Sequence, residues 1–130
     1  MKCKNHAVAI LVAAIGLLVF STNLLAEVKV DKNVSYGPHQ RNVLDVYWNT
    51  DSKHAPIVFT IHGGGFKNGS KAYCNKDMIK LYMSKGCIVV SPNYRLIGKG
   101  EPVTKDDCAM DTAMAVAHIQ ANAKKYGGDP

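Results

Sequence analysis

Polar and hydrophobic positions alternate in the first two segments that follow residue 26. Residues 28–31 alternate valine with charged side chains, and residues 42–48 place Leu44, Val46 and Trp48 on one face. A period of two is typical of a β-strand with one buried face. Turn residues separate the two segments, so we expect them to pair as antiparallel strands at the edge of a sheet.

Two uninterrupted apolar runs, residues 57–61 and 87–91, predict two further strands. They lack alternation, as expected where helices cover both faces of a sheet. A helix is predicted after each run: residues 76–85, with Asn75 as N-cap, and residues 105–126. The longer helix is expected to bury one apolar face, made of Met110, Ala113, Met114 and Ala117.

The order of these elements predicts the fold class. Two strands are followed by two strand–loop–helix units, which favours an α/β fold with a mostly parallel sheet, flanking helices and right-handed connections. Gly127 and Gly128 end the last helix. A further buried strand is expected to follow them, where the sequence ends.

The N-terminus predicts a targeting segment. Lys2 and Lys4 precede an uncharged stretch over residues 7–26, whose most apolar part is residues 7–20. A charged start and a short apolar core are typical of a cleaved signal peptide, here ending at Ala26. The alternative is an uncleaved membrane anchor, because about 20 uncharged residues suffice to span a bilayer.

Composition and charge narrow the function classes for the remaining domain, residues 27–130. In the full sequence of 130 residues, hydrophobic residues make up 47% and charged residues 20%, which excludes a disordered chain. Without residues 1–26 the formal charge falls from +6 to +4. The lysines are scattered, which favours a solvated surface over nucleic-acid binding. The three remaining cysteines match no zinc spacing, although two of them could form a disulfide; they are Cys74, Cys87 and Cys108.

The segment His62-Gly63-Gly64-Gly65-Phe66, directly after the apolar run 57–61, carries the main chemical signal. Glycines reach positive φ at low cost and leave their N–H groups open to a substrate oxygen. A strand that leads into such a loop predicts an oxyanion hole for acyl transfer. We interpret Gly64 and Gly65 as the donors and Gly63 as a residue of the turn itself.

Other polar residues are interpreted as structural. His62 has no visible nucleophile partner, so we interpret it as a histidine that hydrogen-bonds the loop rather than as a general base. Phe66 is expected to pack behind the loop. Arg95 is expected to tie neighbouring loops together rather than bind an acidic substrate. Asp111 is interpreted as a helix-start charge or a salt-bridge partner, not as the acid of a catalytic triad.

Four ordered segments carry a resemblance to a known family: Arg41–Tyr47, His62–Phe66, Asn93–Leu96 and Tyr126–Pro130. With these segments, residues 34–130 resemble the N-terminal part of an α/β-hydrolase of the esterase/lipase type. The similarity is strongest to hormone-sensitive-lipase-like and bacterial feruloyl-esterase-like carboxylesterases. The resemblance implies that Gly64 and Gly65 are oxyanion donors, and that the last segment leads into the strand of the nucleophile elbow.

The resemblance also implies where the catalytic triad is expected. No G-x-S-x-G motif occurs before Pro130, so the serine, acid and histidine of the triad are all expected beyond it. We therefore expect an α/β-hydrolase domain that is truncated at its C-terminus and inactive by itself. None of the serines of the chain lies in a G-x-S-x-G pattern; the serines are Ser21, Ser35, Ser52, Ser70, Ser84 and Ser91.

The expected function is that of an exported serine hydrolase, periplasmic or extracellular, which cleaves carboxylic esters through an acyl-enzyme. Its substrate would be a small-molecule or polysaccharide-linked ester. No metal, organic cofactor or nucleic acid is implied, and no stable membrane partner if the signal is cleaved. Two alternatives remain: an amide or peptide hydrolase on the same scaffold, and a non-catalytic fragment or binding protein.

Overall fold

The computed structural model describes residues 27–130. The predicted signal peptide or anchor, residues 1–26, lies outside the described residues. The strands are β1 (Val28–Ser35), β2 (Val43–Asn49), β3 (Ile57–Phe59) and β4 (Ile88–Pro92), and the helices are α1 (Lys76–Ser84) and α2 (Lys105–Asn122). Short 3₁₀ turns cover Lys71–Tyr73 and Ala123–Tyr126.

The four strands form one sheet in the order β1-β2-β4-β3. The predicted antiparallel pair β1/β2 is confirmed, as is the parallel pairing of the two apolar strands β3 and β4. Strands β2 and β4 are also antiparallel, so the sheet formed by the described residues is mixed. The α/β fold class is confirmed, with the parallel pair at the end of the sheet that carries the glycine loop.

Helices cover the two faces of the sheet. In β4, the side chains of Ile88 and Val90 belong to the core cluster that contains Ala115 and Ile119 of α2. Val89, which points to the opposite face, belongs to the cluster that contains Ile79 and Met83 of α1. All three β4 side chains are fully buried. The sequence of β4 is therefore apolar without interruption because helices cover both faces of the sheet, as predicted.

Strand β3 is shorter and more exposed than its sequence predicts. It ends at Phe59 instead of Ile61, and all three of its residues are half-buried. Within the described residues β3 is the edge strand, hydrogen-bonded along its length to β4 alone. Just before it, Ala55 forms a parallel bridge with Gly128. The chain after α2 thus returns to the side of the sheet where a further strand was expected.

The buried face of α2 differs from the predicted one. Cys108, Asp111, Ala115 and Ile119 are buried, whereas Met110 is 61% exposed. Of the other predicted positions, Ala113 and Ala117 are exposed and Met114 is half-buried. The prediction was wrong because the buried face of α2 contains the carboxylate of Asp111. A search for regularly spaced apolar residues does not select a face that contains a charged residue.

Local signals at the helix ends agree with the sequence. The side chain of Asn75 accepts hydrogen bonds from Asp77 N at 2.8 Å and from Met78 N, as an N-cap does. Thr104 and Asp107 form a reciprocal capping box at the start of α2. No helix in the part of the chain described here has both the length and the hydropathy needed to cross a membrane.

Candidate active site in the glycine loop

The glycine loop, defined here as residues 62–69, begins where the chain leaves the sheet after β3. Thr60 N still donates to Val90 O of β4, at 2.8 Å. The loop then turns back on itself, because Lys67 N and Asn68 N both donate to Gly64 O at 3.1 Å. The loop is therefore fixed at one end by the parallel pairing of β3 with β4, and its tip is a closed turn.

Gly64 has the strictest conformational requirement in the loop. Its φ is +122°, and a Cβ at this position would overlap the backbone oxygen of Asn68. Gly65 has a φ of +60° and open space around it. Gly63 was predicted to serve the turn, but its φ lies outside the left-handed region and its surroundings are open. The turn thus depends on the same glycine that was predicted to donate to the oxyanion.

The N–H groups of Gly64 and Gly65 are free. Neither donates a hydrogen bond to another residue within 27–130, and both residues are exposed. An exposed backbone donor with no partner in the protein is available to a substrate oxygen. Both N–H groups are therefore available, and their role as oxyanion donors stays a prediction.

Phe66 also lies in the left-handed region, with a φ of +63°. A residue with a Cβ is rarely found there, and such strain is characteristic of functional loops. Its ring is tilted against that of Tyr94, with centroids 6.2 Å apart, and the side chain remains 39% exposed. Phe66 thus packs on one side, as expected, while its other side stays accessible next to the donors.

His62 is held in place rather than free to act. Its ring stacks on Tyr94 with centroids 4.3 Å apart, and Nδ1 donates to Gly63 O at 2.9 Å. Burial lowers the pKa of His62 and so favours the neutral imidazole, while the hydrogen bond to Gly63 acts in the opposite direction and is the smaller effect. Nε2 is buried and has no hydrogen-bond partner among the described residues. This geometry supports a structural histidine.

The far end of the loop is anchored to the sheet through polar contacts. Lys71 N donates to Asn93 Oδ1 at 2.6 Å, and Lys71 Nζ pairs with Asp45 Oδ1 at 2.6 Å. Arg41 donates to the backbone oxygens of Gly69 and Tyr94. Sequence reasoning missed these anchors, although Arg41, Asp45 and Asn93 lie in segments that carry the family resemblance.

Arg95 and Asp111 form a buried ion pair, as the structural interpretation of both residues predicted. Arg95 Nε lies 2.9 Å from Asp111 Oδ2, and Nη2 lies 2.9 Å from Oδ1. Arg95 N also donates to Asp111 Oδ2, at 2.9 Å. Burial alone would raise the pKa of Asp111, but the hydrogen bonds from Arg95 outweigh it and lower that pKa. The pair ties the segment after β4 to α2.

The serines within residues 27–130 have structural contacts. Ser91 is buried and its hydroxyl lies 3.1 Å from Lys71 O, to which it donates. Ser70 caps the short 3₁₀ turn by accepting from Ala72 N at 3.1 Å. No serine in this part of the chain is hydrogen-bonded to a histidine. Within the described residues, the predicted oxyanion donors are thus not accompanied by a hydrogen-bonded serine–histidine pair.

A cavity of about 330 Å³ opens beside the loop, with His62 and Gly63 in its wall. Its other lining residues come from β3, from the two residues after it, from α1 and from the three residues before α1, and they include Val58, Met78 and Tyr82. Cavities of this size are at the lower end of the range for small-molecule sites. The two residues directly before the predicted donors therefore line a cavity whose wall is partly polar and partly apolar.

The cysteines and acidic residues do not form a metal-binding group. The part of the chain that the structure covers contains no cluster of three or more His, Cys, Asp or Glu side chains able to share a metal ion. Cys74, Cys87 and Cys108 are all free thiols, so no pair among them is joined.

Comparison with known proteins gives one family and many esterase relatives. A family model described as BD-FAE matches residues 44–130. The protein named "Probable carboxylic ester hydrolase LipM" from Mycobacterium tuberculosis is 33% identical over 104 residues, 77% of this chain and 23% of that protein. Gut esterase 1 of Caenorhabditis elegans is 29% identical, over 74% of this chain and 18% of its own length.

Solved structures agree with these relatives. The Pyrobaculum calidifontis esterase is 27% identical with a TM-score of 0.63, and the match covers 78% of this chain and 32% of that one. This chain therefore spans about a quarter or less of the curated relatives named above and about a third of this esterase.

Proposed function

Because the chain belongs to the BD-FAE family and has the N-terminal portion of the α/β-hydrolase fold found in its esterase relatives, we propose that its glycine loop is the oxyanion hole of a serine carboxylesterase. The observation that carries the proposal is the pair of free N–H groups at Gly64 and Gly65, on an exposed loop directly after β3. Small-molecule or polysaccharide-linked carboxylic esters are the proposed substrates.

The proposed reaction follows acyl transfer. A serine oxygen attacks the ester carbonyl while a histidine takes its proton, and the carbonyl oxygen becomes an oxyanion. The Gly64 and Gly65 N–H groups donate to that oxygen, which stabilises the tetrahedral intermediate before the alcohol leaves. Water then releases the acid from the acyl-enzyme. We propose that the serine, acid and base are supplied from outside residues 27–130; the full-length protein below means residues 27–130 together with the part that supplies them.

Two other functions are compatible with the same scaffold. An amide or peptide hydrolase would use the same oxyanion donors, and a binding protein would use the fold without turnover. The cavity beside His62 and Gly63 includes the apolar side chains of Val58 and Met78, which suits an acyl group shared by esters and amides. Turnover of a matched ester and amide with one acyl group distinguishes the three functions.

We expect a fluorophosphonate probe to label one serine of the full-length protein, and to label it outside residues 1–130. The reason is that Ser91 is buried and Ser70 is held as a cap, while none of the described serines contacts a histidine. Peptide mapping after labelling measures this directly. Stoichiometric labelling of any serine within residues 1–130 would contradict the proposed division of the site.

Export is proposed from the charged start, the short apolar core and Ala26. Protein recovered from the periplasm or the medium is expected to begin at Glu27, because residues 1–26 would be removed during translocation. Intact-mass measurement checks this. A mass that retains residues 1–26, together with membrane association, would favour the anchor instead.

A further inference from the structure

Arg41 joins two segments that are distant in sequence. Its Nε donates to Tyr94 O at 2.7 Å and its Nη2 donates to Gly69 O at 3.0 Å. Gly69 ends the glycine loop, and Tyr94 lies in the segment that follows β4. Arg41 itself is half-buried and lies two residues before the start of β2. One guanidinium thus fixes two backbone carbonyls at once.

Both residues held by Arg41 enclose the start of the loop. Tyr94 stacks on the His62 ring, and its hydroxyl donates to His62 O at 3.1 Å. Gly69 has a φ of +103°, and a Cβ there would overlap His62 Nδ1 and Gly63 O. The contacts of Arg41 therefore surround His62 and Gly63, the two residues directly before the free N–H groups.

We propose that Arg41 is a positioning residue for the oxyanion donors. The inference rests on the proposed function of the loop. The N–H groups of Gly64 and Gly65 have no partner within the described residues, so their direction depends on how the loop is held, at its two ends and at Phe66 O, which accepts from Ile97 N at 2.9 Å. The β3 end is held by sheet pairing, and the other end depends on the Arg41 and Lys71 contacts.

The planar guanidinium is the chemical reason for arginine at this position. It presents several donors in a rigid fork, so Nε and Nη2 reach two carbonyls with fixed geometry. A lysine ammonium at the end of a flexible stem holds one of them at a time. Loss of one contact lets the loop shift, and a misplacement of roughly 1 Å can cost about 10²-fold in rate.

The test compares Arg41→Lys, Arg41→Met and Arg41→Ala with wild type in the full-length protein. We expect kcat to fall by roughly 10- to 100-fold while KM changes by less than about threefold, because misplaced donors weaken the transition state more than the bound ester. Lys80→Met is the matched control, since the Lys80 side chain is exposed on α1 and forms no hydrogen bond or ion pair with any described residue. Its kinetics should equal those of wild type.

Chemical rescue separates positioning from general stability. Millimolar guanidinium is expected to restore part of the kcat of Arg41→Ala, and the same concentration of ammonium is not. The affinity of a trifluoromethyl ketone, whose serine adduct carries an oxyanion, should fall in parallel with kcat. Circular dichroism and the melting temperature are recorded for each variant.

The outcomes distinguish this inference from the proposed function. If wild type hydrolyses esters but the Arg41 variants keep its kcat, the positioning role is wrong and the proposed function stands. If guanidinium restores the melting temperature of Arg41→Ala without restoring kcat, the role of Arg41 is stability alone and the inference is overturned. If wild type hydrolyses no ester, both are overturned.

Discussion

Replacing Gly64 by proline in the full-length protein is expected to lower kcat by at least roughly 10²- to 10³-fold, the cost of one oxyanion donor. Proline removes the N–H that would donate to the oxyanion and fixes φ near −65°. The native φ is +122°, and a Cβ at Gly64 would also overlap Asn68 O. The substitution therefore removes a donor and displaces the loop that carries it.

Alanine variants separate these effects. Gly64→Ala keeps the N–H but still meets Asn68 O, whereas Gly65→Ala keeps the N–H in open space at a φ of +60°. Gly98 is a control outside the loop, with a φ of +75° and nothing within 4 Å of an added Cβ. We expect the loss of kcat to decrease in the order Gly64→Pro, Gly64→Ala, Gly65→Ala, with Gly98→Ala close to wild type.

Circular dichroism must show that each variant is folded before its kcat is interpreted. A folded Gly64→Pro protein whose kcat stays within about threefold of wild type would contradict the assignment of Gly64 as a donor, because losing a donor costs far more.

The Asp111→Asn variant is expected to lose about 3–5 kcal/mol of unfolding free energy at neutral pH, the usual cost of breaking one side of a buried ion pair. Asparagine has nearly the same shape but leaves the Arg95 guanidinium without the carboxylate that binds it twice. The Asp111 side chain is 1% exposed and that of Arg95 is 13% exposed, and the nearest other carboxylate, that of Asp107, lies 3.5 Å from Arg95, so neither water nor Asp107 fully replaces the lost contact. Urea denaturation measures the difference.

The pH dependence of stability supplies a second readout. Since folding lowers the pKa of Asp111, the unfolded chain binds this proton more readily than the folded one. The stabilisation is therefore complete above the unfolded pKa of about 3.9 and is lost as pH falls through the lower folded pKa. Wild type should lose more stability than Asp111→Asn over that acidic range.

Asp106→Asn is the matched control, since Asp106 is exposed in the same helix. The Asp106→Asn variant should lose only about 0.3–1 kcal/mol of unfolding free energy, because it removes a favourable interaction with the helix dipole. If Asp111→Asn is no less stable than Asp106→Asn, the buried pair does not stabilise the fold as argued here.

Local signals in the sequence were sufficient for the order of the elements. Alternation in β1 and β2, the apolar run of β4 and the Asn75 cap each depend on neighbours within a few residues, and each is confirmed. The position of the glycine loop also follows from sequence, because an apolar strand leads directly into three consecutive glycines.

The conformations within that loop required the structure. Three consecutive glycines look alike in sequence, yet Gly64 is crowded by Asn68 while Gly63 and Gly65 have open surroundings. The difference arises because the chain folds back on Gly64 O four residues later. No spacing rule applied to Gly63, Gly64 and Gly65 alone could have identified which of them cannot be replaced.

The amino-acid sequence by itself determined the α/β class, the antiparallel edge and the place of the glycine loop, because these depend on periodicity and on contacts between near neighbours. Tertiary structure alone decided which face of α2 is buried, how far β3 extends and what anchors the glycine loop. Asp111 enters the core because Arg95 neutralises it there, and Arg41 reaches carbonyls 28 and 53 residues away. Such contacts exist only once the sheet has brought distant segments together, so no local pattern encodes them.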